Sequence, residues 1–483
     1  MKNSPFVGRE IETKRLNKLL HSDQSEFVAI YGRRRVGKTL LVRKVFNNQF
    51  TFQVTAIANV TKAQQLVSFH AVLQQLQPDQ FIPVPKNWFL AFQQLIAFLE
   101  HANDDKKIIF LDELPWFDNQ KSDFIPALEH FWNSWAAVRT DVLLIVCGSA
   151  ASWILNKLIN HKGGLHNRVT ERIRLEPFNL YETELLLKHK NSAITRYQIL
   201  QYYMVMGGIP FYLNRIAPEY SVMQNIEQIC FSADGLLRLE FDNLFKALFS
   251  KAERHIAIVR AIARKSRGLT RKEIVQFSKI SNSGTLTKLL DELEQSGFIR
   301  RYNPFNKKKK TSLYQLSDFY TLFYLRFIEK SDPADRHNWR NAFDTPTYRT
   351  WSGYAYEQIC FYHILQIKAA LGIEGMISHT LSWQNPDDEH GTQIDLLIDR
   401  RDQVINICEI KFSIEEFNIS KSYAEQLRRK MAIFRSATQT KKALYLTLIT
   451  TYGLIQNKYV SDLVQHDLSM DVLFEKDRYR PYI

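Results

Sequence analysis

Apolar positions along the chain change their pattern twice. In the first third they come as unbroken runs: Phe27-Val-Ala-Ile30, Ile108-Ile-Phe-Leu111 and Val142-Leu-Leu-Ile-Val-Cys147. Runs with no polar face predict strands covered on both sides, as in a parallel α/β sheet. Between them lie helical patterns, one with Ile11, Leu16, Leu19 and Leu20 on its inner face and several Gln-rich amphipathic segments reaching to about residue 100. In the middle of the chain the period becomes helical. Leu286, Leu289, Leu290 and Leu293 follow i, i+3, i+4, i+7, which predicts one buried helix face. From about residue 335 strands return, at Gln393–Ile398, Val404–Phe412 and Lys442–Ile449.

The chain is read as four segments: an α/β core (1–180), a helical segment (181–250), a helix-turn-helix with a hairpin (251–330) and a second α/β domain (335–483). With 45% hydrophobic and 24% charged residues the chain has the composition of a globular protein rather than a disordered one. Its longest apolar runs fall far short of the ~20 residues of a membrane helix, and MKNSPFVGRE lacks an apolar signal region. Cys147, Cys230, Cys360 and Cys408 are isolated in sequence. Buried thiols in a reducing cytoplasm are therefore expected, without disulfides or zinc. The net charge of +14 is uneven: residues 251–310 hold 16 Lys/Arg against five Asp/Glu, a local +11. Such an excess points to a polyanion, DNA first among them, with a merely solvated basic surface as the other reading.

The most specific chemistry is Gly32-Arg33-Arg34-Arg35-Val36-Gly37-Lys38-Thr39-Leu40, directly after the first apolar run. Strand, Gly-rich turn, then helix is the setting of a phosphate-binding loop. The two glycines allow turn conformations closed to other residues, and successive N–H groups cradle a polyphosphate at the helix N-terminus. Lys38 is expected at the β/γ-phosphates and the Thr39 hydroxyl on Mg²⁺. The second run ends in Asp112-Glu113, giving a carboxylate for the metal and one to orient or activate water. The third ends at Ser149, which either senses the γ-phosphate or caps the following helix. Beyond Gly163-Gly164 come Arg168 and Arg172, each either a stabiliser of developing phosphate charge or a plain surface arginine.

In the basic middle, Thr270 and Glu273 form a capping-box pattern, Gly297 stops the second helix, and two alternating stretches flank Asn303–Asn306 and Lys307–Lys310. Helix, turn, helix and hairpin make a winged helix. As a DNA reader it would present Asn282, Ser283, Thr285, Thr287 or Lys288 to bases, with the lysine-tipped wing on phosphates; as an internal packing module it would do neither.

In the last segment, Asp395 lies on one apolar strand and Glu409-x-Lys411 on the next, after a helix carrying Glu357. Asp395 and Glu409 supply oxygen ligands for Mg²⁺, with Glu357 as an accessory ligand. Lys411, on the same strand face as Glu409, positions water or stabilises the pentavalent state. A symmetric hairpin about residues 400–401 would set Asp395 opposite Asn406, so the metal pair requires an offset or bulge. The helix Tyr423–Arg435 is basic and amphipathic and could flank a DNA backbone.

Taken together, Phe6-Val-Gly-Arg-Glu10, GRRRVGKT, FLDELPWF, CGSAASW, GGLHNRVTERIRLEPF and MGGIPFYL (206–213) resemble the archaeal and bacterial ATPases of the STAND/AAA-type P-loop superfamily. In these an ATPase is followed by a winged helix and a domain similar to PD-(D/E)xK restriction endonucleases. The resemblance implies ATP as ligand, Lys38 and Thr39 at its phosphates, Asp112 and Glu113 at metal and water, and an arginine near Arg168 acting across a domain or subunit interface, the second of which would require a homo-oligomer. It also implies that the Gly207-Gly208-Ile-Pro210 turn sits in a nucleotide-sensing lid, although the same residues suit a simple helix-ending turn. The expectation is an ATP-hydrolysing, DNA-directed protein with a Mg²⁺-dependent nuclease site and no membrane partner. The alternatives are a non-cutting ATP switch and a protein remodeller.

Overall fold

A computed structural model describes residues 6–119, 122–159, 164–165, 167–302, 305, 312–332, 334–335, 337–385 and 392–477. The chain forms two compact units, Met1–Pro177 and Phe178–Ile483.

In the first unit the three apolar runs are strands β1 (Glu26–Tyr31), β3 (Lys107–Asp112) and β4 (Val142–Gly148), joined by β2 (Phe52–Thr55) and β5 (Glu171–Arg174). All pairs are parallel and the order is β2-β3-β4-β1-β5. Because β4 lies between β1 and β3, the ends of these strands, at Tyr31, Gly148 and Asp112, open side by side on one edge. That edge is where ligands enter open parallel sheets. β4 is buried along its whole length, as its uninterrupted hydrophobicity requires. One face packs on the helices Lys62–Leu76 and Trp88–His101, where Trp88 meets Phe69, Phe117 and Phe124 edge-on at 4.9–5.6 Å between ring centres. Such aromatic pairs bury large areas in a fixed geometry.

The second unit opens with helices Leu180–Lys190 and Arg196–Met206, both started by capping boxes. The second ends at Gly207, whose φ is 61° and whose N–H donates to Tyr203 O at 2.8 Å. A side chain on Gly208 would meet the Phe178 carbonyl at 1.7 Å. The helix end lies at Gly207, and the close approach of the Phe178 backbone requires glycine at 208.

Next come helices Ala252–Ile262, Arg271–Ser278 and Gly284–Gln295 with a small antiparallel sheet, β6 (Leu269–Thr270), β7 (Ile299–Tyr302) and β8 (Leu313–Leu316), in the order β6-β8-β7. The Thr270–Glu273 capping box is present. Leu286, Leu289, Leu290 and Leu293 are buried, while Asn282, Ser283, Thr285, Thr287 and Lys288 face solvent. The stretch expected to form the tip of a wing, Asn303-Pro304, Asn306 and Lys307–Lys310, lies outside the described residues.

The C-terminal sheet has the order β13-β12-β11-β10-β9, formed by β9 (Ser378–Gln384), β10 (Gln393–Arg400), β11 (Val404–Lys411), β12 (Ala443–Thr450) and β13 (Val464–Leu468). β9, β10 and β11 pair antiparallel; β11, β12 and β13 pair parallel. The expected hairpin register is corrected here. β10 and β11 are joined by a three-residue loop, 401–403, in which Gln403 takes a left-handed φ of 66°, a common hairpin form. Asn406 therefore opposes Ile398, not Asp395, and Leu396 opposes Cys408. Asp395 and Glu409 are the next residues on the two strands after the Leu396–Cys408 pair. On its other edge β10 shifts register against β9 between Ile394 and Leu397, a bulge at Asp395 of the kind that re-aims side chains.

Candidate functional site

The phosphate loop joins β1 to the helix Lys38–Val45. Gly32 and Gly37 have φ of 144° and 94°, and a Cβ on Gly32 would lie 2.3 Å from the Leu175 carbonyl oxygen. No other residue fits that position. Arg35 also takes a positive φ of 69°. Arg33 and Val36 are buried, Arg34 is partly exposed, and Leu40 points outward.

Lys38 is buried, and its ammonium donates to Gly32 O at 3.1 Å, Arg33 O at 3.0 Å and Ser149 Oγ at 3.0 Å. Burial holds its pKa below the usual lysine range, an effect opposed by Cys147, Glu113 and Asp112. The Thr39 hydroxyl donates to Asp112 Oδ2 at 2.9 Å. Burial raises the Asp112 pKa, while this hydrogen bond opposes the rise. Two hard oxygen donors so placed beside the loop suit Mg²⁺.

Glu113 has a left-handed φ of 51°, and its N–H donates to Asp112 Oδ1 at 3.0 Å. This turn gives adjacent carboxylates different tasks. Asp112 stays with Thr39, while Glu113 accepts from Ser149 Oγ at 2.8 Å and from Ser149 N–H at 3.3 Å. Ser149 thus bridges Lys38 and Glu113, and its side chain does not cap the following helix. Arg168 and Arg172 are both exposed, Arg168 in a turn before β5 and Arg172 on β5 opposite Ala29.

Sequence reasoning assigned no role to Arg9, which reaches the loop and donates from Nη2 to Val36 O at 3.1 Å. Its one signal was its place in the opening Val-Gly-Arg-Glu.

A second cluster of charge lies in the C-terminal sheet. Glu409, on β11, accepts from Lys430 Nζ at 2.6 Å and from Tyr423 OH at 2.7 Å, and pairs with Lys411 at 3.1 Å. Burial alone would raise its pKa, but the two ammonium groups outweigh burial and lower it. Asp395 accepts from Gln393; its pKa is raised by burial and further by Glu409. Glu357, on the helix Pro346–Tyr362, is pushed up to about 8 by burial and by the charges of Asp395 and Glu409. The structure thus brings Glu357, Asp395, Glu409 and Lys411 into one electrostatic neighbourhood. Among the described residues no three His, Cys, Asp or Glu side chains are arranged to hold a metal ion. The oxygen donors of Asp395 and Glu409 fit a hard cation, provided that Lys430 releases Glu409. Tyr423 and Lys430, both on the helix Lys421–Thr438, were not anticipated; their spacing of seven, two turns along one helix face, was the available signal.

All four cysteines are buried and free, and among the described residues no helix is long and apolar enough to cross a membrane.

Residues 6–216 match the family model of an ATPase domain found predominantly in Archaea. An uncharacterized protein of Methanocaldococcus jannaschii is 24% identical over 439 residues, covering 89% of this chain and 92% of that protein. An uncharacterized ATP-binding protein of the same organism is 39% identical over 44 residues, 9% of this chain and 75% of that one. Among solved structures, the Walker-type ATPase of Pyrococcus abyssi aligns with a TM-score of 0.51 at 20% identity, over 66% of this chain and 96% of that one, a likeness of fold. Together with the loop geometry, the family match makes residues 6–216 a P-loop ATPase domain.

Proposed function

We propose that this ATPase acts on DNA and that its C-terminal sheet carries a Mg²⁺-dependent phosphodiesterase site. The observation that carries the reading is the β10–β11 register: its pair Leu396–Cys408 has Asp395 and Glu409 as the next residues on the two strands, with Lys411 two residues on along the strand. Paired carboxylates with an adjacent ammonium are what hydrolysis of a phosphodiester asks for. A divalent ion held by Asp395 and Glu409, with Glu357 nearby, would supply charge neutralisation and an acidic water. Lys411 then orients that water or meets the charge of the pentavalent state.

In the ATPase unit, Lys38 meets the β/γ-phosphates, Thr39 and Asp112 hold Mg²⁺, and Glu113 orients the attacking water once it parts from Ser149. Arg168, exposed ahead of β5, is available to a neighbouring copy in a homo-oligomer. The segment 251–330 is read as a winged helix, the surrounding residues 181–250 as a lid and 335–483 as a restriction-endonuclease-like domain. The solvent-facing Asn282, Ser283, Thr285, Thr287 and Lys288 support a DNA-reading role for the second helix, with phosphate contacts that weaken as salt rises.

One observation favours a second reading, a non-cutting ATP switch. Glu409 is already neutralised by Lys411 and Lys430, an arrangement that holds a sheet together without any metal.

Cleavage in Mg²⁺, with and without ATP, of a closed plasmid and of the same plasmid linearised and heat-denatured decides between them. The nuclease reading expects cleavage by the wild type, its loss in Asp395→Ala, and loss of any ATP stimulation in Lys38→Ala. Cleavage unchanged in Asp395→Ala, or absent in every nucleotide state, leaves the switch reading in its place.

A further inference from the structure

Between the small sheet β6-β8-β7 and the C-terminal sheet lies a cavity of about 340 Å³. One wall carries Arg267, Arg300 and Tyr302; the other carries Trp383, Glu357 and Asp395. Arg300 is the unusual member. It leaves β7 and lays its guanidinium 3.8 Å over the ring of Phe361. Among the described residues its hydrogen-bond partner is the neutral amide oxygen of Gln315, at 2.8 Å from Nε, and it forms no ion pair. Burial lowers its pKa, and the charge of Glu357 acts on it from beyond pairing distance. A largely buried cation without a counter-charge is costly. Such a group opening into a cavity awaits an anion.

The opposite wall asks for the reverse. Asp395 and Glu357 offer oxygens to a cation, and Glu357 has no hydrogen-bond or ion-pair partner among the described residues. Tyr302 adds aromatic surface beside Arg300, whose guanidinium lies 5.9 Å from the Tyr302 ring centre. An anion held by arginine, a cation held by carboxylates and a ring against an aromatic are the three needs of one nucleotide. The volume, at the low end of the ~300–1,000 Å³ of ligand cavities, admits one such unit and excludes a duplex, whose major groove alone is about 12 Å wide.

We infer that this cavity receives a single unpaired nucleotide of DNA, its phosphate against Arg300 and its base along Tyr302, so that the C-terminal site works on a strand end or unpaired segment. This rests on the phosphodiesterase reading of Asp395 and Glu409, and it makes the small sheet a contributor to that site.

The test measures binding of a short 5′-phosphorylated oligothymidylate to the full chain in EDTA by fluorescence anisotropy, with a covalently closed duplex as competitor. Two variants are compared with the wild type: Arg300→Gln, and Ser382→Trp, which fills the cavity from its partly exposed rim. The expected result is at least about tenfold weaker oligothymidylate binding in both, a clear shift in free energy, with closed-duplex binding unchanged. Should Arg300→Gln fail to fold, Ser382→Trp carries the comparison. Oligothymidylate binding that is unchanged in Ser382→Trp, or equal competition by the closed duplex in the wild type, overturns the inference. Cleavage in Mg²⁺ is scored separately. Oligothymidylate that is bound through Arg300 but never cut upholds the cavity and defeats the phosphodiesterase reading. Cleavage of closed duplex that Ser382→Trp leaves intact upholds that reading and defeats the cavity.

Discussion

At the phosphate loop a lysine is held by neutral oxygens, whereas in the C-terminal sheet one carboxylate is held by two lysines. Lys38 meets two carbonyls and a hydroxyl and forms no ion pair among the described residues. Its charge is oriented but not cancelled, and burial makes that charge more valuable to an incoming polyphosphate. Glu409 is the opposite case, with Lys430 at 2.6 Å and Lys411 at 3.1 Å. There the charges satisfy one another, and a ligand gains only what remains after it displaces a partner. The first site is prepared for its ligand; the second must be opened.

The largest effect expected from this contrast falls on Glu113. Glu113→Gln keeps the shape that Ser149 holds but removes the base, so ATP hydrolysis should drop at least about 100-fold while nucleotide binding survives. Phosphate release and nucleotide-binding titrations check the two halves, and near-normal turnover would remove Glu113 from the water-orienting role. In the C-terminal site Lys430→Met should lower stability by about 1–3 kcal/mol, the usual cost of a buried charged group losing a partner. Lys411→Met, at the more exposed of the two lysines, should cost less than Lys430→Met. Urea midpoints compare them, and equal costs would mean that the lysines are interchangeable.

The smallest effect lies at an exposed relative of the same motif, Glu273 with Lys265 at 2.7 Å. Burial raises the Glu273 pKa, but the Lys265 and Thr270 hydrogen bonds prevail and bring it down to about 2 from the ordinary 4.5. Its folded pKa is depressed, so the stabilisation is present above the unfolded value and is lost as pH falls from 4.5 towards 2. Glu273→Gln should cost under about 1 kcal/mol at neutral pH, since water screens the pair, and the gap to wild type should close across that acid range. Urea melts at several pH values would detect it; a gap that persists in acid would assign the effect to the cap rather than the charge. Thr270→Ala, which removes the cap itself, should cost about 1 kcal/mol at every pH.

What could be read from sequence followed how local each feature is. The phosphate loop is written in nine consecutive residues, and β3 and β4 announce themselves by apolar runs that only a doubly covered sheet tolerates. The buried face of Gly284–Gln295 was legible for the same reason: its four leucines keep one period. The nearness of Asp395 to Glu409 was not, because it turns on whether two or three residues close the hairpin, and the left-handed Gln403 carries no glycine or asparagine to mark it. Ser149 had two open readings until β4 was seen beside β3, which brings it to Glu113. Lys430 stood in plain view as one of many basic residues on an amphipathic helix. Only tertiary packing singles it out.

The close fit between Gly32 and Leu175 reaches beyond the nucleotide site. Leu175 N–H also donates to Tyr31 O at 2.7 Å, so the start of the phosphate loop is clamped to the last residues of its unit, which ends at Pro177. The cradle and the exit of the chain are one mechanical part. A loop that shifted to take up a phosphate would have to carry Leu175 along or break this hydrogen bond, because the backbones of Gly32 and Leu175 already touch.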